Sequence, residues 1–119
     1  MDFGEGYLVG IGFGKGGCLK IEVYEEGKTG VDSVAVYEKE CDFSQDYKSY
    51  LIDREKNLVG LATYSFDGKL EYVLLHFDGY GWTELVKVPV DWTLRDIRGV
   101  LIDGWLYVFD DAFHVVQVW

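Results

Sequence analysis

The stretch GIGFGKGG, residues 10–17, contains a Gly-x-Gly-x-x-Gly pattern (Gly12, Gly14, Gly17) with Lys15 inside it. Such a run serves two kinds of structure. One is a phosphate-cradling loop, which must open a helix whose N-terminus receives the anion. The other is the turn of a β-hairpin, where glycine adopts backbone conformations that other residues resist. The residues that follow decide between them. CLKIEVY (18–24) alternates apolar and polar positions as a strand does. A nucleotide-binding lysine loop fails as well, because Gly16 rather than Ser or Thr follows Gly14-Lys15, and Val9 occupies the place of the leading glycine. The run is therefore expected to connect two strands.

The rest of the chain repeats this theme. Leu51-Ile52-Asp53 recurs as Leu101-Ile102-Asp103, and LVGIG (8–12) lines up with LVGLA (58–62), both at a spacing of 50. GCLKIEVY (17–24) has the pattern of GKLEYVLL (68–75) at an offset of 51. A period near 50 with several strands in each unit is the signature of propeller blades. SYLID, NLVGLATY, KLEYVLLHF and GWTELVKVPV make one full unit of strands a to d; b, c and d precede it, and a, b and c follow it. The expected fold is a single all-β domain of antiparallel four-stranded propeller-type blades, one complete and two partial. The units cover about 1–41, 49–90 and 95–119, with ten strands in all. No ten-residue window carries a helical stripe, and 42–48 is the stretch best suited to a helical turn.

Composition agrees with that class. Of the 119 residues 17% are aromatic, which suits pleated, half-buried strands, and fifteen glycines against one proline, Pro89, favour many tight turns. A net charge of −10 argues against a nucleic-acid partner, since an acidic surface repels phosphate backbones. No apolar run approaches about 20 residues, so no membrane insertion is expected. The opening MDFGEGYL has neither the basic start nor the apolar middle of a signal peptide.

YLIDREKNLVGLATY (50–64) and RGVLIDGWLYVFDDAFHVVQVW (98–119) resemble a bacterial family of secreted proteins with a C-terminal β-propeller domain, distantly related to WD40 repeats. Asp53, Glu55, Lys56, Asn57 and Leu58 match that family's D-x-E-K-N-L connection, and Leu101 to Tyr107 loosely match its Y-I-G-D-x-L-Y hairpin. The resemblance implies an extracellular or cell-envelope setting and a C-terminal fragment of a ring, and it names no reaction.

Candidate chemistry is sparse. Cys18 and Cys41 have index sum 59, the sum expected for a hairpin turning between Thr29 and Gly30. A disulfide between them and a pair of unlinked thiols are equal alternatives. Two cysteines are too few for a closed zinc site, and neither His76 nor His114 shares a spacing with them, so neither a metal nor a cofactor is expected. The histidines lie in strands with no nucleophile motif beside them, and both are expected to be packed or edge residues. Asp53, Asp67, Asp78, Asp103, Asp110 and Asp111 fall in turns, where aspartate bonds nearby backbone N–H groups. Tyr80, Trp82, Trp92 and Trp119 are the candidate ligand or partner aromatics. The terminal strand FHVVQVW is polar on neither face, so it is expected to be covered by a partner surface, a second copy of the chain or the remaining blades of a larger one. The expected function is a non-catalytic interaction or structural module; its rival is a carbohydrate-acting or carbohydrate-binding domain using turn carboxylates and aromatics.

Overall fold

A computed structural model describes residues 2–3, 6–27, 30–43, 49–90, 97–109 and 113–119. The protein is all-β. Its strands are β1 (Asp2–Phe3), β2 (Tyr7–Phe13), β3 (Leu19–Gly27), β4 (Gly30–Lys39), β5 (Cys41–Phe43), β6 (Leu51–Asp53), β7 (Leu58–Ser65), β8 (Leu70–Phe77), β9 (Trp82–Pro89), β10 (Arg98–Ile102), β11 (Trp105–Phe109) and β12 (Phe113–Gln117). Every pairing is antiparallel. The first sheet has the order β1-β2-β3-β4, the second β5-β7-β8-β9, and the third β10-β11-β12. β6 shares the outer edge of β7 with β5, pairing with Leu58–Gly60 while β5 pairs with Thr63–Ser65.

The glycine run is the hairpin connection between β2 and β3. Gly16 and Gly17 have φ near +76° and +80°, and Gly14 N donates to the Cys18 carbonyl at 2.7 Å, so the glycines turn the chain and β3 follows. Ten of the twelve strands among the described residues lie where alternation placed them. β1 and β5 escaped because two and three residues are too few to show a period. Of the 42–48 stretch, Asp42 and Phe43 belong to β5, and 44–48 lie outside the described residues.

The sheets are stacked. One core lies between the first and second sheets, where Val9, Leu19, Ile21 and Val23 meet Val59, Leu61, Val73 and Leu75. The other lies between the second and third, where Leu58, Tyr72 and Leu74 meet Ile97, Leu106 and Val108. The second sheet is thus covered on both faces, which explains why Leu58 to Thr63 and Tyr72 to Leu75 are buried without interruption. The sheets do not close into a ring or barrel among the described residues.

The first two sheets repeat each other at an offset of 51 residues. Val9 opposes Val23 as Gly60 opposes Leu74. The β3–β4 ladder carries a bulge after Val23 that leaves Val34 unpaired, and the β8–β9 ladder carries one after Leu74 that leaves Leu85 unpaired. A bulge bends and twists its strand, so a shared bulge gives both sheets the same outer curvature. Facing follows the same offset: Leu19, Ile21 and Val23 point into the first core, and Leu70, Tyr72 and Leu74 into the second.

The spacing of 50 is corrected by this geometry. Val9 and Val59 enter the first core from opposite sides, and Leu51 and Leu101 do so in the second. Neither pair is structurally equivalent, because side chains alternate faces and a one-residue slip reverses the direction of every one. Asp53 pairs with Leu58 in its ladder, whereas Asp103 sits in a turn.

Two contacts lock the stack. Tyr72, fully buried, crosses from β8 between Gly60 and Gly99. A Cβ at position 60 would lie 2.7 Å from its Oη, and one at 99 would overlap the hydroxyl end of the ring. Tyr37 Oη on β4 donates to Glu84 Oε1 on β9 at 2.6 Å, tying the outer strands of the first two sheets. Lys87 Nζ lies 2.9 Å from the other oxygen of Glu84. Partial burial opposes ionisation of Glu84, but the bonds from Tyr37 and Lys87 prevail and hold its carboxyl below the usual range.

Two predictions test these locks. Gly99→Ala should destabilise the protein by about 1–3 kcal/mol through overpacking, less in a Tyr72→Leu background, measured by urea unfolding. Tyr72→Phe alone should be neutral or stabilising, because Tyr72 Oη has no hydrogen-bond partner among the described residues. For the second lock, a lowered carboxyl pKa contributes stability above the unfolded value of about 4.3 that is lost as pH falls through the folded one. Tyr37→Phe should therefore cost about 1 kcal/mol at pH 7 and progressively less below about pH 4.

Candidate functional site: the outer face of the third sheet

The third sheet begins with a strand that points Ile97, Gly99 and Leu101 inward and Arg98, Val100 and Ile102 outward. Asp103 and Gly104, with φ of 49° and 83°, form a two-residue turn of the kind that matches strand twist. Trp105, Tyr107 and Phe109 then face out while Leu106 and Val108 fill the core, and Val115 and Gln117 extend the outer face on β12. Registration arranges these side chains in rows: Val100, Tyr107 and Val115 form one, and Ile102, Trp105 and Gln117 another. Val100, Ile102, Trp105, Phe109 and Val115 are each between 41% and 53% exposed. On the second sheet the corresponding apolar layer is buried beneath the next sheet; on the third, Val100, Ile102, Trp105 and Val115 remain exposed. The described residues of β10–β12 and their turn carry one acid, Asp103, and one strong base, Arg98, in a chain of net charge −10.

The opposite end of the stack has another character. On the outer face of the first sheet Gly10 and Gly12 leave a trough of about 260 Å³ bordered by Lys20, Glu22 and Tyr24. Glu22 accepts hydrogen bonds from Ser33 Oγ and, at 2.7 Å, from Tyr24 Oη, and Lys20 Nζ stands 3.4 Å away. Those bonds, led by Ser33, hold the Glu22 carboxyl below its ordinary range. The carboxylate is satisfied within its own cluster and is a poor proton acceptor near neutral pH.

The turn carboxylates have local partners. Asp53 Oδ1 accepts from the Glu55 and Lys56 amides at 3.0 and 2.9 Å, and Asp78 Oδ1 from those of Tyr80 and Gly81 at 2.8 and 2.9 Å. Asp67 accepts from Ser65 Oγ. Asp103 lies in the β10–β11 turn, and Asp110 and Asp111 lie outside the described residues. No group of three or more His, Cys, Asp or Glu side chains is placed to hold a metal among the described residues.

The candidate aromatics do not assemble into one platform. Tyr80 is 90% exposed on the β8–β9 turn. Trp82 instead packs against the first core with its ring 5.7 Å from Phe77. Trp119, half exposed, lies under Lys56 Nζ at 4.8 Å, and its amide bonds the Gly104 carbonyl at 3.3 Å. Trp92 lies outside the described residues. His76 and His114 are half-buried strand residues. Val116 and Val118 of the terminal segment pack on the second core, so only its Val115 and Gln117 side remains outward. Sequence reasoning expected β12 to need cover without telling its two sides apart, and did not single out Val100, Ile102, Trp105, Tyr107 and Phe109. The available signal was apolar residues on both faces of β10 and β11.

The cysteines do not face each other. The β3–β4 index sum is 57 beside the turn and 58 beyond the bulge, so the register carried past Leu19 and Lys39 sets Glu40 opposite Cys18. Cys41 opens β5 and pairs with Ser65. Both thiols are free, Cys18 half-buried and Cys41 buried. The sequence estimate erred because it placed the turn one residue late, an excess of two in the index sum that the bulge only half offsets.

Comparisons with protein-family models, curated proteins and solved structures yield no match to this chain.

Burial pushes the Cys41 thiol up to about 11. Cys18 should therefore react with a thiol reagent at pH 8 well before Cys41, which should become reactive only on unfolding. Stoichiometric titration of native and denatured protein, with each Cys→Ala variant, checks this.

Proposed function

We propose that the protein is a non-catalytic interaction module built from propeller-type blades, working in an extracellular or cell-envelope setting. The observation that carries this reading is the apolar outer face of the third sheet. A sheet face that exposes Val100, Ile102, Trp105 and Val115 has the apolar content and charge depletion of an interface core. The blade assignment is supported by the 51-residue offset shared by two ladders, their common bulge, and the same sense of facing in each. The resemblance carried by Asp53 to Leu58 and Leu101 to Tyr107 supports the setting and a place among secreted propeller proteins. The carbohydrate alternative has weaker footing, because Trp82 is committed to the core and Asp53, Asp67 and Asp78 each bond within their own turns.

An environment-sensitive apolar dye tests this reading. The native protein should bind it, or should associate in a way that excludes it, and Val100→Lys combined with Trp105→Lys should abolish both behaviours while circular dichroism and unfolding midpoint stay near wild type. Dye binding and association unchanged by that variant, or an oligosaccharide panel that shifts fluorescence in a Tyr80-dependent way, would overturn it.

A further inference from the structure

The first two sheets follow one plan except along one edge. On the second sheet the outer edge of β7 is taken twice, by β6 at Leu58, Val59 and Gly60 and by β5 at Thr63, Tyr64 and Ser65. On the first, β1 pairs with Tyr7 and Leu8, and no described strand pairs with residues 10–13 on that side. At the offset of 51, the place that β5 takes on β7 falls on Gly12, Phe13 and Gly14. Ladder parity says which groups are left open there. The Gly14 amide bonds the Cys18 carbonyl at 2.7 Å, as the Ser65 amide bonds that of Lys69 at 2.9 Å. Antiparallel strands offer their N–H and C=O groups to alternate sides, so those of Ile11 and Phe13 face away from β3, as those of Tyr64 face Asp42 of β5.

This edge is unguarded and has a trough beside it. Exposed edges are commonly blunted by charges, prolines or bulges. β4 has its bulge at Val34 with Glu38 and Lys39 beyond it, and β9 has its bulge at Leu85 with Lys87 and Pro89. Residues 10–13 are Gly-Ile-Gly-Phe, with no charge, proline or bulge. Next to them lies the trough of about 260 Å³. A Cβ at Gly12 would meet nothing within 4 Å, and one at Gly10 only the Tyr24 ring at 3.5 Å. Glycine inside a strand marks a place where another chain can come close. An open main-chain edge with a side-chain trough alongside is what recognition by strand addition requires.

We infer that the edge of β2 at Ile11 and Phe13 takes up an extended basic segment of a partner polypeptide, added as an antiparallel strand in the way β5 is added to β7. The partner residue opposite Phe13 falls beside the Phe13 and Phe43 rings, which stand 5.2 Å apart, and suits an apolar side chain. Its two neighbours, opposite Gly12 and Gly14, point over the trough. On β5 the matching residues are Cys41 and Phe43, which the first sheet buries. Over the trough they meet Lys20, Glu22 and Glu38, one ammonium against two carboxylates, in a chain of net charge −10. Glu22 Oε1 accepts from Tyr24 and Lys20, and Oε2 from Ser33, which leaves acceptor capacity for one more donor. A lysine or arginine stem lies along the bare glycines while its head reaches Glu22. This site is separate from the outer face of the third sheet and does not rest on it.

The probe is a fluorescently labelled heptapeptide of alternating lysine and valine, blocked at both ends. It should bind the native protein and slow deuterium exchange at the Ile11 and Phe13 amides. Methylating the valine nitrogens, which face β2, should weaken binding by about 10-fold or more, and methylating the lysine nitrogens much less. Gly12→Val should block the trough and Glu22→Gln should weaken binding by about 10-fold, each with an unchanged circular dichroism spectrum. Val100→Lys combined with Trp105→Lys should leave binding unchanged. Absence of binding, or binding without protection of Ile11 and Phe13, would overturn the proposal. Equal losses from the two methylation patterns would overturn it too, since plain attraction to an acidic chain has no such edge. A glutamate–valine peptide bound as tightly would remove the basic partner. Binding lost in the third-sheet variant but kept in Gly12→Val would overturn this site and leave the interaction reading of the third sheet standing.

Discussion

The structure depends on the burial of both faces of its middle sheet, and Tyr72 is where that burial is least adjustable. The ring leaves β8, passes over Gly60 and ends against Gly99 of the third sheet. Two positions without side chains make room for one large one, so the second and third sheets approach at a distance set by an aromatic ring instead of by interdigitating aliphatics. Around this wedge Leu58, Leu74, Leu106 and Val108 close the second core. On the other side Phe77 supports Tyr7 edge-on at 5.2 Å, and the Tyr37–Glu84 bond ties the rims. A buried sheet between two others is the element that makes a stack of marginal hairpins cooperative.

The equivalence of the first two sheets lies in backbone geometry more than in residue identity. Gly60 stands where Val9 does, and Tyr72 where Ile21 does. What persists is the ladder register and the bulge that leaves Val34 and Leu85 unpaired. A bulge sets local twist, and twist decides whether successive sheets nest. Residue identity drifts at equivalent places because each interface needs only apolar volume in total, whereas the register cannot drift without turning the core outward.

The chain builds a largely polar strand face on β3 and an apolar one on β11 from the same alternation rule. On β3 the positions that alternate with Leu19, Ile21 and Val23 are Lys20, Glu22 and Tyr24, which suit water. On β11 the positions that alternate with Leu106 and Val108 are Trp105, Tyr107 and Phe109, which do not. The contrast gives the stack a direction, and the proposed interaction surface lies on the third sheet.

Alternation, turn glycines and the near-50 period were enough to identify an all-β chain, to place most of its strands and to read GIGFGKGG as a hairpin connection. These are local properties: they depend on which side of a strand a residue faces and on where the backbone must reverse. The sequence offered matches at both 50 and 51 and could not choose between them, nor show that Leu51 and Leu101 oppose each other or that Cys18 and Cys41 miss by a step. The first two depend on a one-residue slip between repeats and the third on where the β3–β4 turn falls, and neither leaves a mark on composition. Nor could it separate Trp82, which packs in the core, from Trp105, which faces out. Both are large aromatics at strand positions, and only the arrival of a neighbouring sheet distinguishes them. Tertiary structure decided which apolar faces found partners, because burial belongs to pairs of surfaces and a sequence lists them one at a time.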